Sequence, residues 1–340
     1  MVNVNEMMSD ISYTNIRETL KDCICDVQTK AENISVSGIP SGFQPLDDLI
    51  GGFEKGKLYV IGGRPCMGKE EFVLSMILDI IKERKLPVLL FSTNHLKSDY
   101  MQRLLSIHCD ILITHLFQGF LELDEWERLD KRAGAILDAP LFIHDSLDLP
   151  LNELIETARN CIREKDIKII FIDCLQMIDF AKEDDIPSEK IAKIMISLKQ
   201  LAYLADMPIV VGSMLGRGVE YREGIEGRKP QLMDLANSSY IEGLADVIMM
   251  VHRPEYYHIY QDEYGRDFHG RMEIILNKNA LRPLGNILLD YNQDTGIISI
   301  SKYTSKSVSK RTSLKDLETD NIAVKTLIKK LNLEEEELPF

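Results

Sequence analysis

The run LYVIGGRPCMGKEEF at residues 58–72 constrains this chain most, because a strand pattern passes through a glycine-rich turn into a helical pattern. Gly63, Gly68 and Lys69 match the spacing G-x-x-x-x-G-K, in which backbone N–H groups and a lysine surround phosphate groups. The next position usually carries a Ser or Thr hydroxyl for magnesium, but here it holds Glu70. An ordinary glycine-containing turn is the alternative. The run therefore predicts a phosphate-binding loop that departs from the pattern at its metal-binding position.

Apolar runs alternate with helical patterns along most of the chain. Continuous apolar runs are typical of buried parallel strands, and segments such as LNELIETARNCIREK between them have helical periodicity. The strand-like runs are PVLLFS (87–92), APLFIHD (139–145), IKIIFID (167–173), MPIVVGS (207–213) and DVIMMVH (246–252). The runs RMEIILNKN and GNILLDYNQDTGIISI predict late strands. This alternation predicts an α/β fold, with a mostly parallel sheet flanked by helices on both faces.

Composition narrows the class of protein. Hydrophobic residues make up 45% of the 340 positions, enough for a substantial core. The net charge of -14 argues against a protein that coats nucleic acid with its whole surface. The six cysteines form no CxxC pair, which favours idle thiols in a reducing compartment over a zinc site. Without a basic, apolar leader or a membrane-length apolar run, we expect a cytoplasmic protein that makes no membrane contact.

Two flanking segments differ from the predicted α/β domain of residues 37–300. Residues 1–36 contain an amphipathic helical pattern at 11–31, with apolar side chains at helical spacing between charged ones. Residues 301–340 begin as a polar, basic linker, continue as a short helical pattern and end in the acidic run EEEELPF. We therefore predict three parts: an N-terminal linker helix, a large nucleotide-binding-type domain and a C-terminal tail.

The chain resembles the C-terminal ATPase domain of DnaB-family replicative helicases. The run SGIPSGFQPLDDLIGGFEKGKLYVIGGRPCMGKEEF is similar to the entry to that domain. Further motifs follow in the family's order: FSTNH, FIDCLQMI, SLKQLA, IVVGSMLGR, KPQLMDLANSSYIEGLADVIMMVHR and MEIILNKNALRPLG. The resemblance covers residues 12–300, without the family's N-terminal helical domain. It implies a RecA-like P-loop NTPase fold that takes ATP and Mg²⁺.

The resemblance also implies a hexameric ring, built from copies of this chain or shared with another DnaB-type subunit. In such a ring, the helix at 11–31 resembles the linker that docks on the neighbouring subunit. A helix that folds back on its own domain is the alternative.

Candidate site residues follow from the motifs. Asp173 ends the apolar run IKIIFID, where an acid is expected to hold the metal, and Glu70 is a second candidate metal ligand. Candidate catalytic residues are Lys69, Asp173, Asn94 and Arg282. Candidate nucleotide-binding residues are Gly63, Arg64, Pro65, Cys66, Met67, Gly68, Lys69, Glu70 and Lys278. His95, beside Asn94, is interpreted as a core or surface histidine without a role.

The resemblance locates several departures from the family's pattern. The glutamate that polarises the attacking water falls on Asn94, and the glutamine that senses the γ-phosphate falls on Met214. The arginine finger falls on Ala280, with Arg282 as a candidate substitute. A finger contributes on the order of 10³–10⁵ in rate, and a catalytic base roughly 10²–10⁴. We therefore expect ATP hydrolysis to be weak or absent, and nucleotide binding without turnover and loss of binding are both compatible with these residues. An active ATP-dependent DNA helicase that uses substitute residues is the alternative.

A glycine-containing basic segment, LGRGVEYREGIEGRKP, is the candidate contact for single-stranded DNA. Its candidate DNA-binding residues are Arg217, Arg222, Arg228 and Lys229. The resemblance places the arginine and glutamate of the family's DNA-contacting loop on Ala236 and Asn237, so we expect weak binding of single-stranded DNA. Three interleaved glutamates make a charge-balanced surface loop the alternative.

The C-terminal run EEEELPF resembles the acidic tip of bacterial single-stranded DNA-binding proteins. Such tips recruit replication and repair proteins, which implies partner binding through Leu338, Pro339 and Phe340. An apolar pocket for Phe340 with a basic rim would suit this chemistry. A solubilising acidic tail is the alternative. The leading hypothesis is a replication-associated component with a degenerate active site, and a scaffold that recruits partners through the tail is a further hypothesis.

Overall fold

A computed structural model describes most of the chain. The described residues are 37–303, apart from 180–186, 237, 263–264 and 281, together with positions 16, 19–21, 23 and 24. The chain divides into two units, residues 38–307 and the terminal segments 1–37 and 308–340. In the terminal unit, positions 16, 19–21, 23 and 24 are helical. The predicted C-terminal helix and the residues Leu338, Pro339 and Phe340 lie outside the described residues.

The sheet carries the fold of residues 38–307. Within the described residues, nine strands form this sheet, and β4 and β6 form a separate short pair. In chain order the strands are β1 (Leu58–Gly63), β2 (Val88–Ser92), β3 (Leu141–Asp145), β4 (Leu149–Pro150), β5 (Ile169–Asp173), β6 (Ile178–Asp179), β7 (Ile209–Met214), β8 (Val247–His252), β9 (Arg271–Asn279), β10 (Asn286–Tyr291) and β11 (Ile298–Ile300). The order across the sheet is β11-β10-β9-β8-β1-β7-β5-β2-β3, and β4 pairs with β6. The strands from β8 to β3 run parallel, whereas β9, β10 and β11 pair antiparallel. The carboxyl ends of the parallel strands therefore share one edge.

Helices cover both faces of this sheet. They are α1 (Gln44–Ile50), α2 (Lys69–Lys82), α3 (Lys97–Cys109), α4 (Ile113–Gln118), α5 (Leu123–Ala133), α6 (Leu151–Lys165), α7 (Pro187–Leu204) and α8 (Ser238–Leu244). Along β1, Tyr59 and Ile61 face the core under α1, α2 and α3, whereas Leu58 and Val60 face the core under α6 and α7. A strand buried on both faces needs apolar side chains at every position, which is the observed pattern. The predicted α/β fold class is confirmed.

Two features differ from the sequence expectation. Strand β3 is half-buried along its length, because it lies at the edge of the sheet and has one neighbour, β2. The helices α3 to α5 between β2 and β3 were not predicted. Helix α4 has no buried residue and α5 has only Glu125, so neither helix adds a buried apolar side chain to the core. No helix in the described ranges is long and apolar enough to span a membrane.

Candidate nucleotide-binding site

A cavity of about 410 Å³ opens at the carboxyl-terminal edge of the parallel strands. In open α/β sheets this edge is where ligands bind. Several predicted residues line it: Gly63, Arg64, Pro65, Cys66, Gly68, Lys69, Glu70 and Asn94. Residues to which the sequence analysis assigned no role also line it, including Glu71, His95, Arg103, Arg253, Tyr291 and Gln293. Met67, another predicted residue, is instead buried in the core at 1% exposure.

The loop between β1 and α2 has the backbone of a phosphate cradle. Gly68 forms the N-cap of α2 with φ of 82°, and Cys66 also has a positive φ of 62°. A Cβ at position 68 would lie 2.4 Å from Met272 Cε, the end of a flexible side chain, so it is the positive φ that favours glycine here. Helix α2 starts at Lys69, and its first N–H groups lack partners within the helix. The loop therefore suits an anion at the start of α2.

Lys69 and Asp173 form a buried ion pair beside the cradle. The Nζ of Lys69 lies 2.6 Å from Asp173 Oδ1, and the Tyr100 hydroxyl donates to Asp173 Oδ2. Burial by itself would lower the pKa of Lys69, but Asp173, together with Cys174 and Glu70, raises it overall. Burial first, and then the charge of Asp173, raises the pKa of Tyr100. Both oxygens of this carboxylate, which is 4% exposed, are thus occupied by protein donors.

Glu70 points into a cluster of its own. Its Oε2 lies 3.5 Å from His95 Nε2 and 3.9 Å from Arg103 Nη1. Burial would raise the pKa of Glu70, but the His95 hydrogen bond and the nearby cations outweigh burial and lower it. The same hydrogen bond raises the pKa of His95 despite partial burial. His95, to which the sequence analysis assigned no role, also lies 3.3 Å from the Asn94 amide nitrogen.

The neighbouring Glu71 holds Arg103 on the cavity wall. Arg103 Nη1 donates to Glu71 Oε1 at 2.6 Å. Burial raises the pKa of Glu71 although the Arg103 guanidinium opposes that shift. Sequence reasoning missed this pair, because the spacing of 32 residues between its members carries no local signal.

Arg253 ties three parts of the cavity together. Its Nη1 donates to the Cys66 carbonyl oxygen at 3.1 Å, and its Nη2 donates to Gln293 Oε1 at 2.8 Å. The guanidinium carbon lies 4.8 Å from the centre of the Tyr291 ring. Arg253 is 5% exposed. The sequence could have marked Arg253 as a candidate, because it directly follows the buried strand β8 and the carboxyl ends of the parallel strands meet at this edge.

The cradle fits phosphate, but the side chains around it do not fit magnesium as they stand. Glu70 replaces the hydroxyl ligand and is already paired with His95. Asp173 has one oxygen on Lys69 and the other on Tyr100. Across the described part of the chain, no three His, Cys, Asp or Glu side chains are grouped as metal ligands. If magnesium bound here, Glu70 and Asp173 would be its protein ligands, and it would supply counter-charge to phosphate oxygens.

Lys278 and Arg282 lie at the opposite edge of the sheet from this cavity. Lys278 Nζ donates to the carbonyl oxygens of Glu242 at 2.5 Å and Ala245 at 2.6 Å, at the end of α8. Arg282 pairs with Glu54 at 2.9 Å, ahead of β1. Their predicted roles in nucleotide binding and catalysis stay predictions, because within one copy of the chain they do not meet the cradle.

The predicted DNA-contacting residues lie on the segment after β7. Arg217 is exposed at the start of a short 3₁₀ turn. The other three contact groups of the chain itself: Arg222 pairs with Asp234 at 2.5 Å, Lys229 with Glu226 at 2.7 Å, and Arg228 lies 4.9 Å from the Tyr257 ring centre. Ala236 is described and Asn237 is not.

Comparison with known proteins decides the family. The family model described as the DnaB-like helicase C terminal domain matches residues 38–299. The chain belongs to this family. Its relatives include the replicative DNA helicase DnaB of Treponema pallidum (strain Nichols), 33% identical over 298 residues, which are 87% of this chain and 63% of that protein. The replicative DNA helicase DnaB of Rickettsia prowazekii (strain Madrid E) is 29% identical over 327 residues, 89% of this chain and 67% of that protein.

Solved structures of DnaB-like proteins share the fold. The ATPase domain of G40P superposes with a TM-score of 0.77 at 25% identity, covering 86% of this chain and 100% of that one. A DnaB-like replicative helicase, determined with its interactions with primase, gives a TM-score of 0.74 at 25% identity, covering 87% and 70%. The RecA-like fold expected from the motifs is thereby confirmed. The chain spans less than two thirds of the length of the Treponema pallidum relative.

Proposed function

We propose that this DnaB-like domain binds nucleotide at the cradle, hydrolyses ATP weakly or not at all, and serves replication as a component that binds DNA or a partner protein. The observation that carries the proposal is the pairing of the cavity's acids. Glu70 meets His95, Glu71 meets Arg103, and Asp173 meets Lys69. Each of these carboxylates is paired with a basic side chain of the protein itself.

Water activation needs a group that accepts a proton near the terminal phosphate. Asn94 stands where the family has a glutamate, and an amide orients water without accepting its proton. The carboxylates of Glu70, Glu71 and Asp173 are each paired as described, so they are poorly placed to act as a free general base. Binding, by contrast, relies on the loop backbone and Lys69, both of which are present. We therefore expect nucleotide binding to be retained although ATP hydrolysis is weak or absent.

The experiment is steady-state ATP turnover by the full chain, with and without single-stranded DNA. We expect turnover at the level of a Lys69→Ala control in both conditions. Turnover that single strands stimulate, and that Lys69→Ala abolishes, would replace this proposal with an active DNA helicase. Equilibrium nucleotide binding, measured on the same samples, distinguishes a site that binds nucleotide without hydrolysing it from a site that binds no nucleotide.

Assembly and partners extend the proposal. Membership of the DnaB-like family supports a ring, made of this chain or shared with another DnaB-type subunit. The exposed Arg217 supports weak contact with single strands, because a phosphate contact needs an accessible cation. Recruitment of a replication or repair protein by the tail is tested by deleting Leu338, Pro339 and Phe340: unchanged partner capture would remove this part of the proposal.

A further inference from the structure

We infer that Glu70 makes this site selective for a nucleoside diphosphate bound without a divalent cation. The inference rests on the nucleotide binding proposed above and adds the class of ligand.

The first observation is the position of Glu70. It is the second residue of α2, it follows Lys69 directly, and it lines the cavity. In phosphate-binding loops this position faces the metal that bridges the last two phosphates of a triphosphate. A carboxylate at that place meets the terminal phosphate as a like charge, and like charges repel strongly in a partly dry site.

The second observation is that Glu70 is held there as an anion. His95 lies 3.5 Å from its Oε2 on one side, and Arg103 lies 3.9 Å away on the other. Arg103 is itself fixed by Glu71 at 2.6 Å, so the cluster has an anchor on α2. The carboxylate therefore supplies, inside the protein, the negative charge that a terminal phosphate would bring.

The third observation concerns the remaining metal ligand. Both oxygens of Asp173 are engaged, by Lys69 at 2.6 Å and by Tyr100. Recruiting Asp173 to a metal would remove a buried lysine's partner and a buried hydroxyl's acceptor. A triphosphate would then enter without the counter-charge that magnesium normally provides, and it would meet Glu70.

A diphosphate avoids these conflicts. The loop backbone and Lys69 suffice for its terminal group, since phosphate loops hold the β-phosphate with backbone N–H groups and the lysine. Arg253 adds a cation at the same wall and fixes the loop through the Cys66 carbonyl. No metal is needed in this arrangement, and the Glu70 cluster stays intact.

The experiment is calorimetric titration of the full chain with ADP and with ATP, each in excess Mg²⁺ and in EDTA. We expect the wild-type chain to bind ADP at least about tenfold more tightly than ATP, with ADP affinity changing less than about twofold between Mg²⁺ and EDTA. Glu70→Thr returns the hydroxyl, so ATP binding should tighten and become dependent on Mg²⁺. Glu70→Gln keeps the shape and removes the charge, so the preference for ADP should narrow without any new dependence on Mg²⁺.

The outcomes separate this inference from the proposed function. Equal affinity of the wild type for ATP and ADP, or ADP binding that EDTA abolishes, would overturn the inference and leave nucleotide binding in place. Absence of binding by the wild type and by Glu70→Thr under every condition would refute nucleotide binding itself, and the inference with it. Because the wild-type arm decides between ADP and ATP by itself, the test survives a variant that fails to fold. Circular dichroism of each variant identifies such a case.

Discussion

The two edges of the sheet use similar charged residues in opposite ways. At the carboxyl-terminal edge, Lys69, Glu70 and Arg253 surround a cavity of about 410 Å³. At the amino-terminal edge, Lys278 caps α8. There Arg282 also pairs with Glu54, and both line a crevice of about 20 Å³. The first edge has space for a ligand, whereas the second uses its charges to hold chain segments together. Residue type alone therefore does not distinguish a binding residue from a structural one.

Asp246 shows how the amino-terminal edge is built. Its carboxylate accepts a hydrogen bond from the Leu58 backbone N–H at 2.7 Å and pairs with Lys57 at 3.8 Å and with Lys199. These contacts join the starts of β1 and β8 to helix α7. A closed network of this kind specifies strand placement, and it leaves little room for a nucleotide.

The largest change in stability is expected from breaking the buried ion pair between Lys69 and Asp173. Lys69→Met leaves Asp173 as a buried anion with Tyr100 as its remaining side-chain donor, so we expect a loss of about 3–5 kcal/mol in the free energy of unfolding. The measurement is urea unfolding followed by circular dichroism. Adding Asp173→Asn to Lys69→Met should recover much of the loss. A single variant as stable as the wild type would contradict the pair's role in stability.

The substitution Asp47→Asn on α1 is expected to stabilise the folded protein. Burial raises the pKa of Asp47 from 3.8 to about 6, against hydrogen bonds from Ser41, and Asp79 adds to the rise. The folded state therefore binds this proton more tightly than the unfolded state, and the charge destabilises the fold as pH rises through that window. Asp47→Asn keeps an acceptor for the Ser41 N–H and should add about 1–3 kcal/mol at pH 7.

Unfolding at two pH values checks this prediction. The gain from Asp47→Asn should shrink towards pH 4, where the wild-type carboxyl is protonated in the folded state. An equal gain at pH 4 and pH 7 would show that burial of the charge is not its cause.

Replacing Lys278 at the amino-terminal edge should reduce the free energy of unfolding by a smaller amount. Lys278→Met removes donors from two carbonyl oxygens at the end of α8, so we expect a loss of about 1–2 kcal/mol in unfolding free energy. Lys278→Arg retains donors and is the matched control. If Lys278→Met costs as much as Lys69→Met, the contrast between the two edges is wrong in energetic terms.

The smallest expected effect concerns the segment after β7. Arg217→Ala should weaken single-strand binding to a similar extent for all sequences and reduce the salt slope by about one, as expected for a lost phosphate contact. Arg222→Ala is the control, because its guanidinium is already paired with Asp234. Fluorescence anisotropy over a range of salt concentrations measures both. An unchanged slope for Arg217→Ala would remove that residue from the DNA contact.

Much of the fold was predictable, because buried parallel strands carry continuous apolar runs. The predicted strands PVLLFS and IKIIFID correspond to β2 and β5. The short helices α4 and α5 were missed, and they bury almost nothing, so no core-forming apolar run marks them. At the site, Lys69 and Asp173 were found by motif and by position after a strand. Arg103 lies outside the family's motifs, and Arg253, although it ends the run KPQLMDLANSSYIEGLADVIMMVHR, was assigned no role.

The sequence by itself determined the strand–loop–helix of the cradle, the family's motif order and the replacement of the magnesium hydroxyl by Glu70. These features are local, because each depends on neighbouring residues and on the period of apolar side chains. Only the tertiary structure decided which charges meet: Glu70 with His95, Arg253 with the Cys66 carbonyl, and Lys278 with the end of α8. Such pairings depend on how separate strands end at a shared edge, and chain order alone does not encode which side chains meet there.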